Sequence, residues 1–405
     1  MKADIKAVPG GTVTSPEGFF AGAVSAGINK GAAGKLDLAV LFSETPCVAA
    51  GMFTTSKLKS APLQLTRQRL ERGEAGAVVV NSGCANALTG GHGLADAAEV
   101  ASLVAEGIGI AAEDVLVAST GVIGVPLPMK KIRDSVGNIT LSRDGGHDLA
   151  KAIMTTDTVP KETAVSVKIG DSQFTIGGAA KGSGMIHPDM ATLLCFLTTD
   201  ASVERGFLGE ALKRAVDLSF NMVSVDGDTS PSDTVLLLAN GMAGGELVSA
   251  ESPLAAAFEQ ALEQVCVHLA KLIAADGEGA TKFIEVMVNG AADLSQARKA
   301  ARVVVGSALV KSAIYGADPN WGRVVAAVGR SGADMDEYKF DLYLGDIQVV
   351  KAGRQLNSQK REINKLLNGK EINLIVNLNL GEGSATAWGC DLTEEYVAIN
   401  SEYMT

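Results

Sequence analysis

Residues 181–200, KGSGMIHPDMATLLCFLTTD, join a polar, glycine-bearing loop directly to an apolar strand, with the junction at Ala191-Thr192. Other strand-sized apolar runs bounded by glycine or polar clusters lie on both sides of it: Leu36 to Phe42, Ala77 to Asn81, Val115 to Ser119, Thr234 to Ala239, Phe283 to Val288, Leu342 to Val350 and Ile372 to Leu378. Helical periodicity falls between them. Leu254, Phe258, Ala261, Leu262, Val265, Leu269, Leu272 and Ile273 share one face of a helix predicted over Pro253 to Ala274, with Ser252 as N-cap, Pro253 at its first turn and Gly277 as its stop. Phe207 to Val216 and Leu94 to Glu106 predict two further helices. Strands and helices mix without strict βαβ alternation. The expected fold class is therefore α/β, a layered body of mixed sheets covered by helices, rather than a doubly wound parallel sheet.

Composition narrows the function. The chain has 405 residues, roughly two to three times a common domain. Its 35 Lys and Arg against 46 Asp and Glu give a net charge of -11, and only 4% of residues are aromatic. Neither a basic footprint nor stacking platforms for nucleic acid are present, so no nucleic-acid partner is expected. The N-terminal MKADIKAVPGG lacks the apolar core of a signal peptide, and no apolar stretch reaches the roughly 20 residues of a membrane span. Cys47, Cys84, Cys195, Cys266 and Cys390 are odd in number and without CxxC spacing, which fits neither a disulfide framework nor a zinc site. A cytoplasmic protein without membrane contact is the expectation.

Common motifs fail. Lys181-Gly182-Ser183 lacks the phosphate-loop order, and no GxGxxG opens a helix after a strand. Asp226, Asp228 and Ser230 imitate the start of a calcium loop, but Pro231 stands in place of its glycine and Leu237 in place of its closing glutamate, so an Asx-type turn is the better reading. His92, His147, His187 and His268 form no ligand pair, and no metal is expected. What remains is Thr192. A threonine hydroxyl is a poor nucleophile without an adjacent base, and cutting the chain before it supplies one, because a terminal amine has a pKa near ~8. Glycines upstream permit the strained geometry such a cut needs, and Ala191 offers little hindrance. From local sequence alone, a buried threonine at a strand start is the commoner explanation.

Nine ordered segments change that balance: NSGCANA (81–87), STGVIG (119–124), TTDT (155–158), KGSGMI (181–186), MATLL (190–194), DGDT (226–229), DGEGAT (276–281), DPNWGR (318–323) and GCDLT (389–393). With PEGF (16–19) ahead of them, they make nearly the whole chain resemble the ornithine acetyltransferase family of arginine biosynthesis, the self-cleaving glutamate N-acetyltransferases. The resemblance implies cleavage between Ala191 and Thr192 into chains of residues 1–191 and 192–405, which stay together and pair into a heterotetramer of two of each. It implies Thr192 as acetyl carrier, Thr120 and Gly121 as the oxyanion hole, and substrate contacts at Thr155, Lys181, Thr192, Glu278, Asn400 and Thr405. N2-acetylornithine would give its acetyl group to glutamate, with acetyl-CoA as a further possible donor and no resident cofactor.

The chemistry of those positions is consistent with the roles. Acyl transfer needs two donors for its oxyanion, which a hydroxyl and a glycine N–H after a strand can provide. Lys181 suits a substrate carboxylate and Glu278 its amine. Without the resemblance, Glu278 reads as a solvated loop acid, Lys181 as a surface charge and the tail as a frayed end. Asp318 to Arg323 reads as packing or as pocket wall, with packing favoured. The chain departs from the family at Cys84, commonly Asn, and at Pro231-Ser232, commonly Thr-Asn. Cys84 reads as a small buried apolar residue rather than a thiol nucleophile, and Pro231 leaves its loop geometry open. The rival functions are a self-processed aminopeptidase or amidase, and an amino-acid-binding protein that has lost the cut.

Overall fold

The apolar strand after the junction is Leu194–Val203, and its two faces enter different cores. Cys195 and Leu197 pack into the large core with the helices Arg205–Leu218 and Ala255–Ala275, whereas Leu194 and Phe196 pack with Phe19, Leu41 and Leu149. Side chains alternate across a strand, so a strand covered on both faces must be apolar at every position. The run in the sequence has this cause. The structure is a computed structural model and describes residues 3–29, 34–187, 193–357 and 360–402.

Around this strand lies a mixed sheet, nine-stranded among the described residues. Leu194–Val203 pairs antiparallel with Ser172–Lys181 and parallel with Thr234–Val248, which continues antiparallel into Leu38–Phe53; Glu74–Asn81 and Val115–Ser119 follow as a parallel pair. A second sheet, seven-stranded among the described residues, is built around Glu371–Asn377 and Phe283–Ala291, with Gly383–Cys390 beside the latter. The helix Ala255–Ala275 is the shared layer. It packs on Lys161–Ile169 and Ser172–Lys181 of the first sheet and on Gly383–Cys390 of the second. Gly90–Ile108 covers the far end of the first sheet around Ala97, Val100 and Val104. This is the layered α/β body with mixed sheets that the sequence predicted. Among the described residues no helix is long and apolar enough to cross a membrane.

Three local expectations need correction. The stretch Leu342 to Val350 is two strands, Asp341–Leu344 and Ile347–Lys351, folded back at Gly345, whose φ of 54° suits a tight turn. The long helix starts at Ala255 rather than Pro253: Ser252 accepts the Leu254 and Ala255 N–H groups in a preceding turn, so it does not act as N-cap. The strands Lys161–Ile169 and Ser172–Lys181 were not predicted. They form a hairpin through Gly170-Asp171 with Gly170 at φ 58°, a two-residue turn of the glycine-first kind.

Register brings the chain segments of interest to one edge. Lys181 and Thr234 both pair with Leu194, and Asn81 pairs with Ser119. The end of Ser172–Lys181 and the starts of Leu194–Val203 and Thr234–Val248 thus lie side by side, and the approach of Lys181 Nζ to Thr120 Oγ1 at 3.5 Å brings the ends of Glu74–Asn81 and Val115–Ser119 to them. Gly177 sits where segment 12–16 crosses this sheet, and a Cβ there would run into the Thr12 carbonyl oxygen. Gly177→Ala should lower stability by about 1–3 kcal/mol, the usual cost of overpacking against backbone, read as a lower urea midpoint. An unchanged midpoint would mean that the crossing segment moves aside freely.

Candidate active site

The turn after Val115–Ser119 is fixed from beneath. Ser119 Oγ donates to Asn81 Oδ1 at 2.6 Å, Asn81 Nδ2 donates to the Cys84 carbonyl at 2.9 Å, and Thr120 N–H donates to the Asn81 carbonyl at 3.0 Å. Gly121 follows at φ 129°, and a Cβ there would strike the Gly83-Cys84 peptide. Only glycine lets the turn pack this closely. Cys84 lies in that support, buried, with Sγ against the Val125 carbonyl at 3.2 Å; burial pushes its thiol up, away from a thiolate nucleophile.

Lys181 ends its strand fully enclosed, with Nζ 3.5 Å from the Thr120 hydroxyl. Burial pushes its ammonium down, while the charges of Asp157, Asp233 and Glu278 act the other way. Asp157 is the hub behind it. Its Oδ1 accepts from Lys161 Nζ and Gly182 N–H, both at 2.7 Å, and its Oδ2 accepts from Thr155 N–H at 3.0 Å. Burial would raise this carboxyl, but Lys181, Lys161 and the hydrogen bonds outweigh it and hold it at about 2. Lys161, with no exposed surface, also reaches Asp276 Oδ2 at 2.5 Å, and Asp276 takes the Thr158 N–H and hydroxyl.

The opposite wall comes from the second half of the chain. Glu278 N–H donates to the Ser183 carbonyl at 2.8 Å, and Glu278 Oε2 accepts from Asn400 Nδ2 at 2.8 Å. Gly184 lies against that carboxylate, where a Cβ would collide. Asn400 sits on the helix Glu394–Glu402, whose Tyr396 lies near the Asp226 carboxylate, and burial with that nearby charge pushes the Tyr396 phenol up. Asp226 receives the Met185, Ile186 and Asp228 N–H groups at 2.6, 3.0 and 3.1 Å. The last of these bonds makes the expected Asx-type turn, and the first two hold Met185 in the left-handed region at φ 56°.

Thr120, Gly121, Thr155, Lys181, Glu278 and Asn400 all line one pocket, a concave site with a few convergent polar groups of the kind that binds small molecules. Six of the sequence-predicted site residues therefore converge. Ala191, Thr192 and Thr405 lie outside the described residues. The neighbour Leu193 is placed: its N–H donates to Asp233 Oδ1 at 3.1 Å and its carbonyl accepts from Thr234 N–H at 3.1 Å. The Pro231 loop is held by Thr54 Oγ1 on the Ser230 carbonyl at 2.8 Å and Ser60 N–H on the Pro231 carbonyl at 2.9 Å. Trp321 lines a separate small apolar cavity with Ile314 and Leu374, and Arg323 bonds the Leu309 carbonyl at 2.8 Å, which is packing rather than pocket wall. Among the described residues no three His, Cys, Asp or Glu side chains are placed to hold a metal ion. Sequence reading missed Asp157, Lys161 and Asp233; TTDT drew attention to the first, but nothing in a sequence marks a lysine as fully buried.

The ArgJ family model matches residues 20–405. The arginine biosynthesis bifunctional protein ArgJ of Dehalococcoides mccartyi is 53% identical over 405 residues, covering 100% of both chains; that of Symbiobacterium thermophilum is 55% identical over 397 residues, 98% of this chain and 99% of the other. Among solved structures, the arginine biosynthesis bifunctional protein argJ of Bacillus halodurans is 44% identical, with a TM-score of 0.50 over 51% of this chain and 97% of that one. Fold, pocket and relatives together define an acyltransferase of arginine biosynthesis. The chain belongs to the ArgJ family.

The hub carboxylate has a measurable consequence. Removing one partner of a buried ion pair typically costs about 3–5 kcal/mol, so Asp157→Asn should lose stability of that order at pH 7. The folded carboxyl lies at about 2, below its unfolded ~3.9, so its contribution is present above about pH 4 and lost as pH falls towards about 2. Denaturation of wild type and variant at pH 7 and near pH 3 should show the gap shrinking. An equal gap at both would mean that Asp157 acts through shape rather than charge.

Proposed function

We propose that Thr192 carries the acetyl group, freed as a chain terminus by self-cleavage after Ala191, and that the chains 1–191 and 192–405 remain associated, two of each, in the cytoplasm. The overall reaction of the protein is transfer of acetyl from N2-acetylornithine to glutamate. The observation that carries the mechanism is the convergence of Thr120, Lys181, Glu278 and Asn400 on one pocket that is also lined by Ser232, next to the Asp233 that holds the Leu193 N–H. The Bacillus halodurans structure, 97% of which corresponds to about half of this chain, is in keeping with a half-length mature polypeptide.

The roles follow from the contacts. A Thr120 hydroxyl that accepts from Lys181 Nζ keeps its own proton to donate, so with the Gly121 N–H it can bind the oxygen that becomes negative when Thr192 attacks the acetyl carbonyl. The Thr192 proton passes to its own α-amine and then to the departing ornithine amine as the carbon–nitrogen bond breaks. Glutamate's free amine then attacks the Thr192 ester, and the threonine oxygen leaves with a proton. Thr155, Lys181, Glu278, Asn400 and Thr405 hold the amino acid, with Lys181 on the carboxylate side and Glu278 on the amine side. "Bifunctional" in the relatives' name is compatible with acetyl-CoA as a second donor.

Two variants test these roles. Thr192→Ala should stay folded, uncut and inactive, because both cleavage and transfer use one hydroxyl; two chains on a denaturing gel would assign the cut to something else. Thr120→Ala should lower kcat about a hundredfold or more with little change in glutamate KM, since its hydroxyl acts on developing charge. A raised KM alone would move Thr120 to substrate binding.

A further inference from the structure

The C-terminal helix Glu394–Glu402 has no fully buried residue and contributes nothing to the hydrophobic cores. Polar links set its seat on the body. Glu394 stands beside the Tyr315 hydroxyl at the exposed start of the helix, Tyr396 lies near Asp226, and Asn400 Nδ2 meets Glu278 Oε2 at 2.8 Å. Immediately before the helix, and buried, is Thr393.

The Thr393 hydroxyl faces two ways. It accepts the N–H of Tyr396, the third residue of the helix, at 3.2 Å, as an N-cap does, and it donates to the Gly279 carbonyl at 2.8 Å. A helix cap needs only an acceptor. The proton of this hydroxyl is directed instead at the residue that follows Glu278. Gly279 has φ 66°, and a Cβ on it would strike the Tyr396 nitrogen and the Thr393 hydroxyl, so glycine is what brings the Glu278 loop onto the start of the helix. The far end of that loop is tied to the same stretch of chain: Asp391 accepts the Thr281 and Lys282 N–H groups at 2.8 and 3.0 Å, together with the Thr281 hydroxyl. Segments 276–281 and 389–393 thus form one clamp.

We propose that Thr393 is a positioning residue for the substrate, its hydroxyl locking the C-terminal helix to the Glu278 loop so that the Glu278 carboxylate and the Asn400 amide stand as a preformed pair against the amino acid. About two helical turns separate Thr393 from Asn400, which returns Asn400 to the side of the helix that Thr393 fixes. The inference rests on the reading in which Glu278 and Asn400 hold the amino acid.

Thr393→Val keeps the shape of the side chain and removes both hydrogen bonds. Contacts that act alike on bound substrate and transition state appear in KM rather than in kcat. The variant should melt close to wild type, raise KM for glutamate and for N2-acetylornithine about tenfold, and change kcat less than about threefold. Thr393→Ser, which keeps the hydroxyl, should have the wild-type KM. Glu278→Gln should raise KM by itself, and Thr393→Val added to it should raise KM little further, because Thr393 acts through Glu278. A wild-type KM in Thr393→Val, a Thr393→Ser protein equally defective, or full additivity with Glu278→Gln overturns the assignment. So does a Thr393→Val protein that melts far below wild type, since the hydroxyl then serves the fold at large. Should Glu278→Gln leave KM for both substrates unchanged, it is the reading of Glu278 that fails, and the inference with it.

Discussion

The pairing of Leu194–Val203 between Ser172–Lys181 and Thr234–Val248 is the constraint on which the site depends. One neighbour is antiparallel and ends at Lys181; the other is parallel and begins after Asp233. A lysine in the row of Leu194 and an aspartate one residue before that row therefore come together from distant parts of the sequence. The strand opens on four apolar residues, Leu194 to Leu197, because cores lie on both faces, and a one-residue slip would exchange the side chains that enter them. The site's precision thus comes from the register of a strand that carries no chemistry beyond its first residues.

Charge follows from that placement. The chain is acidic overall, yet it buries Lys181 in the pocket wall and Lys161 behind it. Asp157 and Asp276 make this tolerable by pairing and by accepting backbone N–H groups, so that the network leaves Lys181 aimed at Thr120. Such an arrangement supplies a fixed positive field where an acyl transfer develops negative charge, and it needs no reorganisation at the moment of reaction. The C-terminal helix closes the other side through Asn400 on Glu278 and Tyr396 beside Asp226.

Much of this was legible in the sequence where a local pattern has one structural solution. Val115–Ser119 was bounded correctly because an apolar pentapeptide between acidic and glycine residues has few alternatives. The family motifs located six pocket residues through resemblance, since spacing alone would leave Glu278 and Asn400 as surface groups. The buried network was not legible, because pairing of Lys161 with Asp276 depends on a strand and a helix end meeting more than a hundred residues apart. Ser252 looked like a cap, but it takes the Leu254 and Ala255 N–H groups in a separate turn, and the helix starts at Ala255.

The central proposal is that one hydroxyl, at Thr192, both makes the cut and carries the acetyl group. Intact mass of the purified protein, taken before and after brief incubation with N2-acetylornithine in the absence of glutamate, tests it most directly. The account requires two chains, one ending at Ala191 and one beginning at Thr192, with one acetyl group added to the second and removed again when glutamate is supplied. A single uncut chain that transfers acetyl, or an acetyl group on any other residue, would contradict it.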